Sequence, residues 1–234
     1  MPRTDPWGEI HFDEHTAVDL LALDHVALAI ADPGALTAFL RDHLGMHELG
    51  RTADCIRMGP EHGAAHLRLI PAEGPREPGA LARVVLRVAD LQRAVGSLPP
   101  DVEVQENEPD LVTFEGPEGL GLGFTLVAGG GIDYDLDHVV LRVADPEETR
   151  VALAELGCVP RGDQLHVADK RIMLEEMPGW TERPLLDHIA IRVASVEATA
   201  DQARRRGLEV DDSRDDSFTI VLPGLERIRL DFVD

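Results

Sequence analysis

One stretch of this chain is written four times. LDHVALAIAD (23–32), LARVVLRVAD (81–90), LDHVVLRVAD (136–145) and LDHIAIRVAS (186–195) align without a gap. A repeat of this period fixes the architecture more tightly than any local propensity, because each copy must form the same supersecondary unit and bury the same face. Each copy alternates as a half-buried strand does. In the third, Val139, Leu141 and Val143 share one side while His138, Val140 and Arg142 share the other. In the fourth, Ile189, Ile191 and Val193 oppose His188, Ala190 and Arg192.

After each strand comes a helical stretch. Asp32, Asp90, Asp145 and Ser195 stand at the expected N-caps, with Pro33 and Pro146 at the first helical position. Gly45, Gly157 and Gly207 stand where a helix end favours a left-handed residue. Short strands close each copy, ending in HLRLIP, LGFTLVAG, RIMLEEM and RIRLDFVD. Every module therefore reads β-α-β-β-β. Pro- and Gly-rich linkers lie between modules, and the Gly129–Gly131 run is expected to be the main boundary. This predicts an extension over 1–20, a first domain over 21–130 (modules 21–77 and 78–130), and a second over 131–234 (modules 131–181 and 182–234).

Composition excludes several classes. No apolar run approaches the roughly 20 residues that span a bilayer, so no membrane partner is expected. The start of the chain is acidic and broken by Pro and Gly, unlike a signal peptide. A formal net charge of -22 would repel phosphates, which argues against nucleic acid. The two cysteines, Cys55 and Cys158, have no C-x-x-C spacing, so a reducing cytoplasm is the expected location.

Modules of this form, opening on [LI]-D-H-hydrophobic and closing the first strand on V-A-D, resemble the vicinal oxygen chelate superfamily of glyoxalase I, extradiol dioxygenases and bleomycin resistance proteins. The resemblance covers about residues 22–234 and implies an α+β fold, four tandem βαβββ modules pairing into two cup-shaped half-barrel sheets flanked by helices. By resemblance, modules one and two would form one cup and modules three and four a second. It also implies a divalent metal held by a first-strand His and a last-strand Glu of paired modules. Imidazole and carboxylate suit Fe, Mn, Ni or Zn and leave positions open for a substrate's oxygens.

The first-strand positions are His25, Arg83, His138 and His188. Aligning the last strands sets Arg68, Gly123, Met173 and Arg229 where the glutamate is expected, with Glu175 and Asp231 two residues further on and His66 two before Arg68. Guanidinium does not coordinate metal, so the cup expected of modules one and two reads as metal-free and His25 as a packing residue. The second expected cup offers His138, His188, Glu175 and Asp231 as metal ligands. Arg142, Arg192, Arg227 and Arg229 share strand parity with the histidines; Arg192 and Arg229 are the candidates for holding a substrate anion. The N-terminal H-F-D-E-H (11–15) lacks any H-E-x-x-H pattern and reads as part of the extension.

Two functions follow from the resemblance. One is a metal-dependent enzyme of the dioxygenase or glyoxalase type acting on a small oxygen-bearing substrate. The other is a metal-free protein that sequesters a small anionic or aromatic ligand, as bleomycin resistance proteins do. In a third, one pair of modules is only scaffold or a homodimer interface.

Overall fold

The computed structural model describes residues 19–62, 65–127, 132–177, 181–214, 217–221 and 229–233, and the backbone of 3–4 and 10–11. Two dipeptide strands, β1 (Arg3–Thr4) and β2 (Ile10–His11), pair with each other. Module one comprises β3 (Leu20–Ile30), α1 (Pro33–Leu44), β4 (His47–Arg51), β5 (Ile56–Gly59) and β6 (His66–Pro71). Module two comprises β7 (Leu81–Val88), α2 (Leu91–Gly96), β8 (Val104–Glu108), β9 (Leu111–Glu115), a 3-10 turn over Pro117–Gly119, and β10 (Gly121–Leu126). Module three has β11 (Asp135–Val143), α3 (Pro146–Glu155), β12 (Val159–Arg161), β13 (Gln164–Val167) and β14 (Lys170–Glu176). Module four has β15 (Leu186–Val193), α4 (Val196–Arg205), β16 (Val210–Arg214), β17 (Ser217–Val221) and β18 (Arg229–Val233).

Each helix starts where its cap predicts. Asp32 accepts from the Ala35 amide, Asp90 from Arg93, Asp145 from Glu147 and Glu148, and Ser195 from Ala198. Gly45 ends α1 at φ +62°, a left-handed conformation that a side chain would strain.

The strands form two open eight-stranded sheets, and here the structure corrects the expected pairing. One sheet runs β12-β13-β14-β11-β7-β10-β9-β8 and joins modules two and three. The other runs β16-β17-β18-β15-β3-β6-β5-β4 and joins modules one and four. The modules are nested. β3 lies antiparallel to β15, and β7 antiparallel to β11. The first-to-second and third-to-fourth linkers therefore both cross between sheets, and they cross together. The Glu77 amide donates to the Arg183 carbonyl, the Leu185 amide donates to the Glu77 carbonyl, and Thr181 donates to the Glu77 carboxylate.

The repeat could not reveal this, because four equivalent first strands offer four equivalent edges. Ion pairs that join the modules accompany this pairing. Arg192 pairs with Asp24 (four to one), and Arg83 pairs with Glu175 (two to three). Arg87 lies 3.5 Å from Asp137 and 3.1 Å from Asp169.

The face opposite each cup is the core. Val26, Leu28 and Ile30 of β3, Val84 and Leu86 of β7, Val139 and Leu141 of β11, and Ile189 and Ile191 of β15 are all buried and belong to one hydrophobic cluster spanning both sheets. Phe232 stacks on Phe218 within it, ring centroids 4.6 Å apart. Glu118 adds a polar tie between modules one and two by accepting from the amides of Ala31 and Asp32. Cys55 and Cys158 are both free thiols. Among the described residues no helix is long and apolar enough to cross a membrane. One shared core predicts one cooperative unfolding transition in urea. Phe232→Ala should lower stability by about 3–5 kcal/mol and shift that single transition; two separated transitions in the wild type would contradict a common core.

Candidate functional site

The D-H motif is a backbone device. In β15 the register passes from Leu186↔Leu28 to His188↔Ala27, leaving Asp187 as an extra, unpaired residue. In β3 it passes from Leu23↔Ile191 to His25↔Ala190, leaving Asp24. In β11 Asp137 is skipped in the same way, and in β7 Ala82. Each module thus carries a β-bulge at the residue before the first-strand site position. A bulge breaks strict alternation and re-aims a side chain, so the aspartate can reach its neighbouring imidazole. His Nδ1 donates to Asp Oδ2 at 2.8 Å in Asp24–His25, 2.7 Å in Asp137–His138 and 2.7 Å in Asp187–His188.

An ionised carboxylate can only accept, which places the proton of each neutral imidazole on Nδ1 and leaves the Nε2 lone pair facing the cup. In the one–four sheet two such nitrogens meet: His25 Nε2 lies 3.0 Å from His188 Nε2. Both rings are buried. Two lone pairs at that separation repel unless a cation, proton or metal, is shared between them. Asp231 stands beside them, its Oδ2 3.6 Å from His188 Nε2, while its Oδ1 accepts from the Thr219 hydroxyl at 2.6 Å. His66 stacks at 5.0 Å from the His25 ring, and Arg68 Nη1 lies 3.4 Å from His25 Nε2. Arg57 and Arg192 complete a cavity of about 470 Å³. Asp24, His25 and His66 offer ligand atoms within 4.8 Å of one another.

Strand register also corrects the last-strand alignment. Asp231 lies opposite Ala190, Arg68 opposite Ala27, Met173 opposite Val140 and Gly123 opposite Val85. Each partner lies two residues past its first-strand site position, so Asp231 is the structural equivalent of Arg68, Met173 and Gly123. Arg229 pairs with His188 as His66 pairs with His25. The fourth module's alignment is therefore shifted by two residues, and its Asp231 carboxylate stands where the glutamate was expected. The Arg229 side chain and Arg227 lie outside the described residues, as does the H-F-D-E-H segment beyond the backbone of its first residue.

The four residues expected to share one metal do not share one sheet. His188 and Asp231 come together in the one–four cup, joined by His25, which sequence reasoning assigned to packing. His138 and Glu175 lie in the two–three sheet. There Arg171 donates to Asp137 and sits beside His138, and Glu175 is paired with Arg83. Of the arginine candidates, Arg192 donates to Asp24 and so braces the Asp24–His25 pair. Nested pairing explains the regrouping, since it brings modules one and four to one cup. The signal for His25 was already present in its D-H dipeptide, identical to those of modules three and four.

Electrostatics keep His25 and His66 neutral. Burial, with the nearby charge of Arg68, holds His25 below the ordinary histidine range against the pull of Asp24. Burial and the neighbouring His25 push His66 down to about 4. Burial alone would raise Asp24 and Asp137. Hydrogen bonds from His25 and His138, with Arg192 and Arg171 beside them, instead hold Asp24 below the usual range and Asp137 at about 2. A histidine depressed on folding binds fewer protons than in the unfolded chain, so its stabilising contribution is intact above pH of about 6.5 and shrinks as pH falls towards the folded value. The melting temperature should fall as pH drops from about 6.5 to about 4, and His66→Gln should flatten that fall. An unchanged profile in the variant would contradict a neutral, buried His66.

No curated protein matches the sequence. Among solved structures, a candidate dioxygenase of Bacillus subtilis subsp. subtilis str. 168 superposes with a TM-score of 0.74 at 18% identity, covering 92% of this chain and 86% of that one. Glyoxalase I from Zea mays gives 0.72 at 15% identity, covering 91% and 92%. The cppA protein from Streptococcus pneumoniae TIGR4 gives 0.62 at 14% identity, covering 92% and 99%. At these identities the likeness is one of fold. Residues 22–219 match the sequence model of one family, and the chain belongs to the Glyoxalase/Bleomycin resistance protein/Dioxygenase superfamily.

Proposed function

We propose that the chain is a metal-dependent enzyme of the glyoxalase or dioxygenase type, and that its reaction takes place in the cup of modules one and four. The observation that carries this reading is the pair of Nε2 lone pairs 3.0 Å apart. With both Nδ1 protons committed to carboxylates, the pair is arranged to share a cation. The donor set fits a divalent first-row metal. It offers two imidazole Nε2 atoms from His25 and His188, each ring oriented by an aspartate on its other nitrogen, and one carboxylate from Asp231. Two histidines and one carboxylate leave open positions for a substrate. When bound, Fe, Mn, Ni or Zn would supply Lewis acidity toward two neighbouring oxygens of a small molecule.

The chain's own residues define the rest. Asp24 and Asp187 fix the imidazole tautomers, Arg192 holds Asp24 in place, and Thr219 orients Asp231. Arg68 and Arg57 make the cavity receptive to an anionic substrate, such as an enolate, phenolate or carboxylate. A cavity of about 470 Å³ suits a small ligand.

One observation favours a second reading. Arg68 occupies the strand position equivalent to Asp231, with its guanidinium directed at His25. A metal-free cup sequestering a small anion would use Arg68, Arg57 and a shared proton between His25 and His188.

Metal analysis separates the two. The purified protein, reconstituted in turn with Fe(II), Mn(II), Ni(II) and Zn(II), should hold about one equivalent of one of them. His25→Ala with His188→Ala should lose it, whereas His138→Ala should keep it. No metal in the wild type, or retention in the double variant, would sink the enzyme reading in favour of the binding one. Asp24→Asn should weaken metal binding by about 10–100-fold, measured by competition with a chelator.

A further inference from the structure

The cup of modules two and three holds a larger cavity, of about 740 Å³, for which the proposed reaction has no use. Its chemistry departs from the other cup at one point. Where modules one, three and four carry Asp-His across the bulge, module two carries Ala82-Arg83. The change removes a carboxylate and adds a guanidinium, so the local charge rises by two relative to an ionised Asp beside a neutral His. Arg142, on the neighbouring strand β11, also lines the cavity. Arg83 is paired with Glu175. Arg142 Nη1 reaches only the Gly79 carbonyl at 3.4 Å, and its Nε is buried with no hydrogen-bond partner. A buried guanidinium nitrogen left without an acceptor is costly, and a ligand carboxylate would satisfy it.

The charges are sorted by depth. Arg83 and Arg142 are half-buried, whereas Asp101, Glu103 and Glu115 on the same cavity are exposed. A simple anion would have to pass three carboxylates at the mouth; a simple cation would meet two guanidiniums within. Only a ligand with both charges matches the arrangement. The same cavity also has an apolar lining, from Phe39, Phe114, Pro99 and Pro117.

We propose that the two–three cup is a second, metal-independent site for a zwitterionic aminocarboxylate with an apolar, aromatic body. Its carboxylate meets Arg142, and its ammonium faces Asp101, Glu103 and Glu115. The residues involved are separate from those proposed to hold metal in the one–four cup.

The test is calorimetric titration of the full, chelator-treated chain with three probes of one shape: L-phenylalanine, 3-phenylpropionate and 2-phenylethylamine. L-phenylalanine should bind. Each probe lacking one charge should bind at least about tenfold more weakly, as expected for loss of a charge-assisted contact. Arg142→Ala should cost L-phenylalanine a similar factor, while His188→Ala should leave its binding unchanged. The exposed pair Glu103→Gln with Glu115→Gln should weaken L-phenylalanine but not 3-phenylpropionate, and it decides the matter if Arg142→Ala does not fold. The proposal is overturned by the absence of L-phenylalanine binding at millimolar concentration. It is equally overturned if 3-phenylpropionate binds as tightly, or if both sets of variants bind L-phenylalanine like the wild type.

Discussion

The bulge before each first-strand site position is the feature on which the chemistry depends. A regular strand would send Asp24 and His25 to opposite faces, and the carboxylate could not reach the ring. One extra residue brings them within hydrogen-bonding distance, fixes the proton on Nδ1 and frees Nε2 for the cup. Module two shows which feature is primary. Ala82 and Arg83 replace the Asp-His pair, yet the bulge is still present. It therefore belongs to the antiparallel pairing of first strands, and the Asp–His contact exploits a kink that the sheet makes anyway.

Nested pairing then decides which modules cooperate. Joining one with four sets two Asp-His pairs across a pseudo-twofold axis, with His188 opposite Ala27 and Ala190 opposite His25. The two imidazoles meet near that axis. Joining two with three sets one Asp-His pair against an Ala-Arg pair, so His138 has no imidazole partner there. The same fold element thus yields a cup headed by imidazoles in one sheet and a cup headed by guanidiniums in the other.

How much of this the sequence revealed depends on how local each feature is. The modules, their helix caps and the buried faces of the first strands were legible, because periodicity and capping act within a few residues. Pairing of modules was not, since four near-identical edges carry no local label. The ion pairs that distinguish them, Arg192–Asp24 and Arg83–Glu175, join residues far apart in the chain. Site residues followed the same rule. Each D-H dipeptide was visible, but grouping His138 with His188 required the wrong sheets, and His25 was set aside for lack of a partner that the fold supplies. The last-strand alignment slips at Arg229 because Ile228-Arg229-Leu230 fits a hydrophobic-Glu-hydrophobic ending as well as Leu230-Asp231-Phe232 does, two residues on, the period of the strand itself.

Period two also explains how cups this different can belong to one structure. Residues on the core side of the first strands, such as Val26, Val84, Val139 and Ile189, differ little among modules and pack into one cluster. Their neighbours on the cup side are His25, Arg83, His138 and His188. Alternation assigns stability to one set and ligand chemistry to the other, so an Asp-His pair can become Ala-Arg without touching the shared core. The constraint that remains is electrostatic. Buried imidazoles without a cation must stay neutral, and a buried guanidinium needs an acceptor. In the first cup that need points to a cation between His25 and His188. In the second it points to a carboxylate on Arg142.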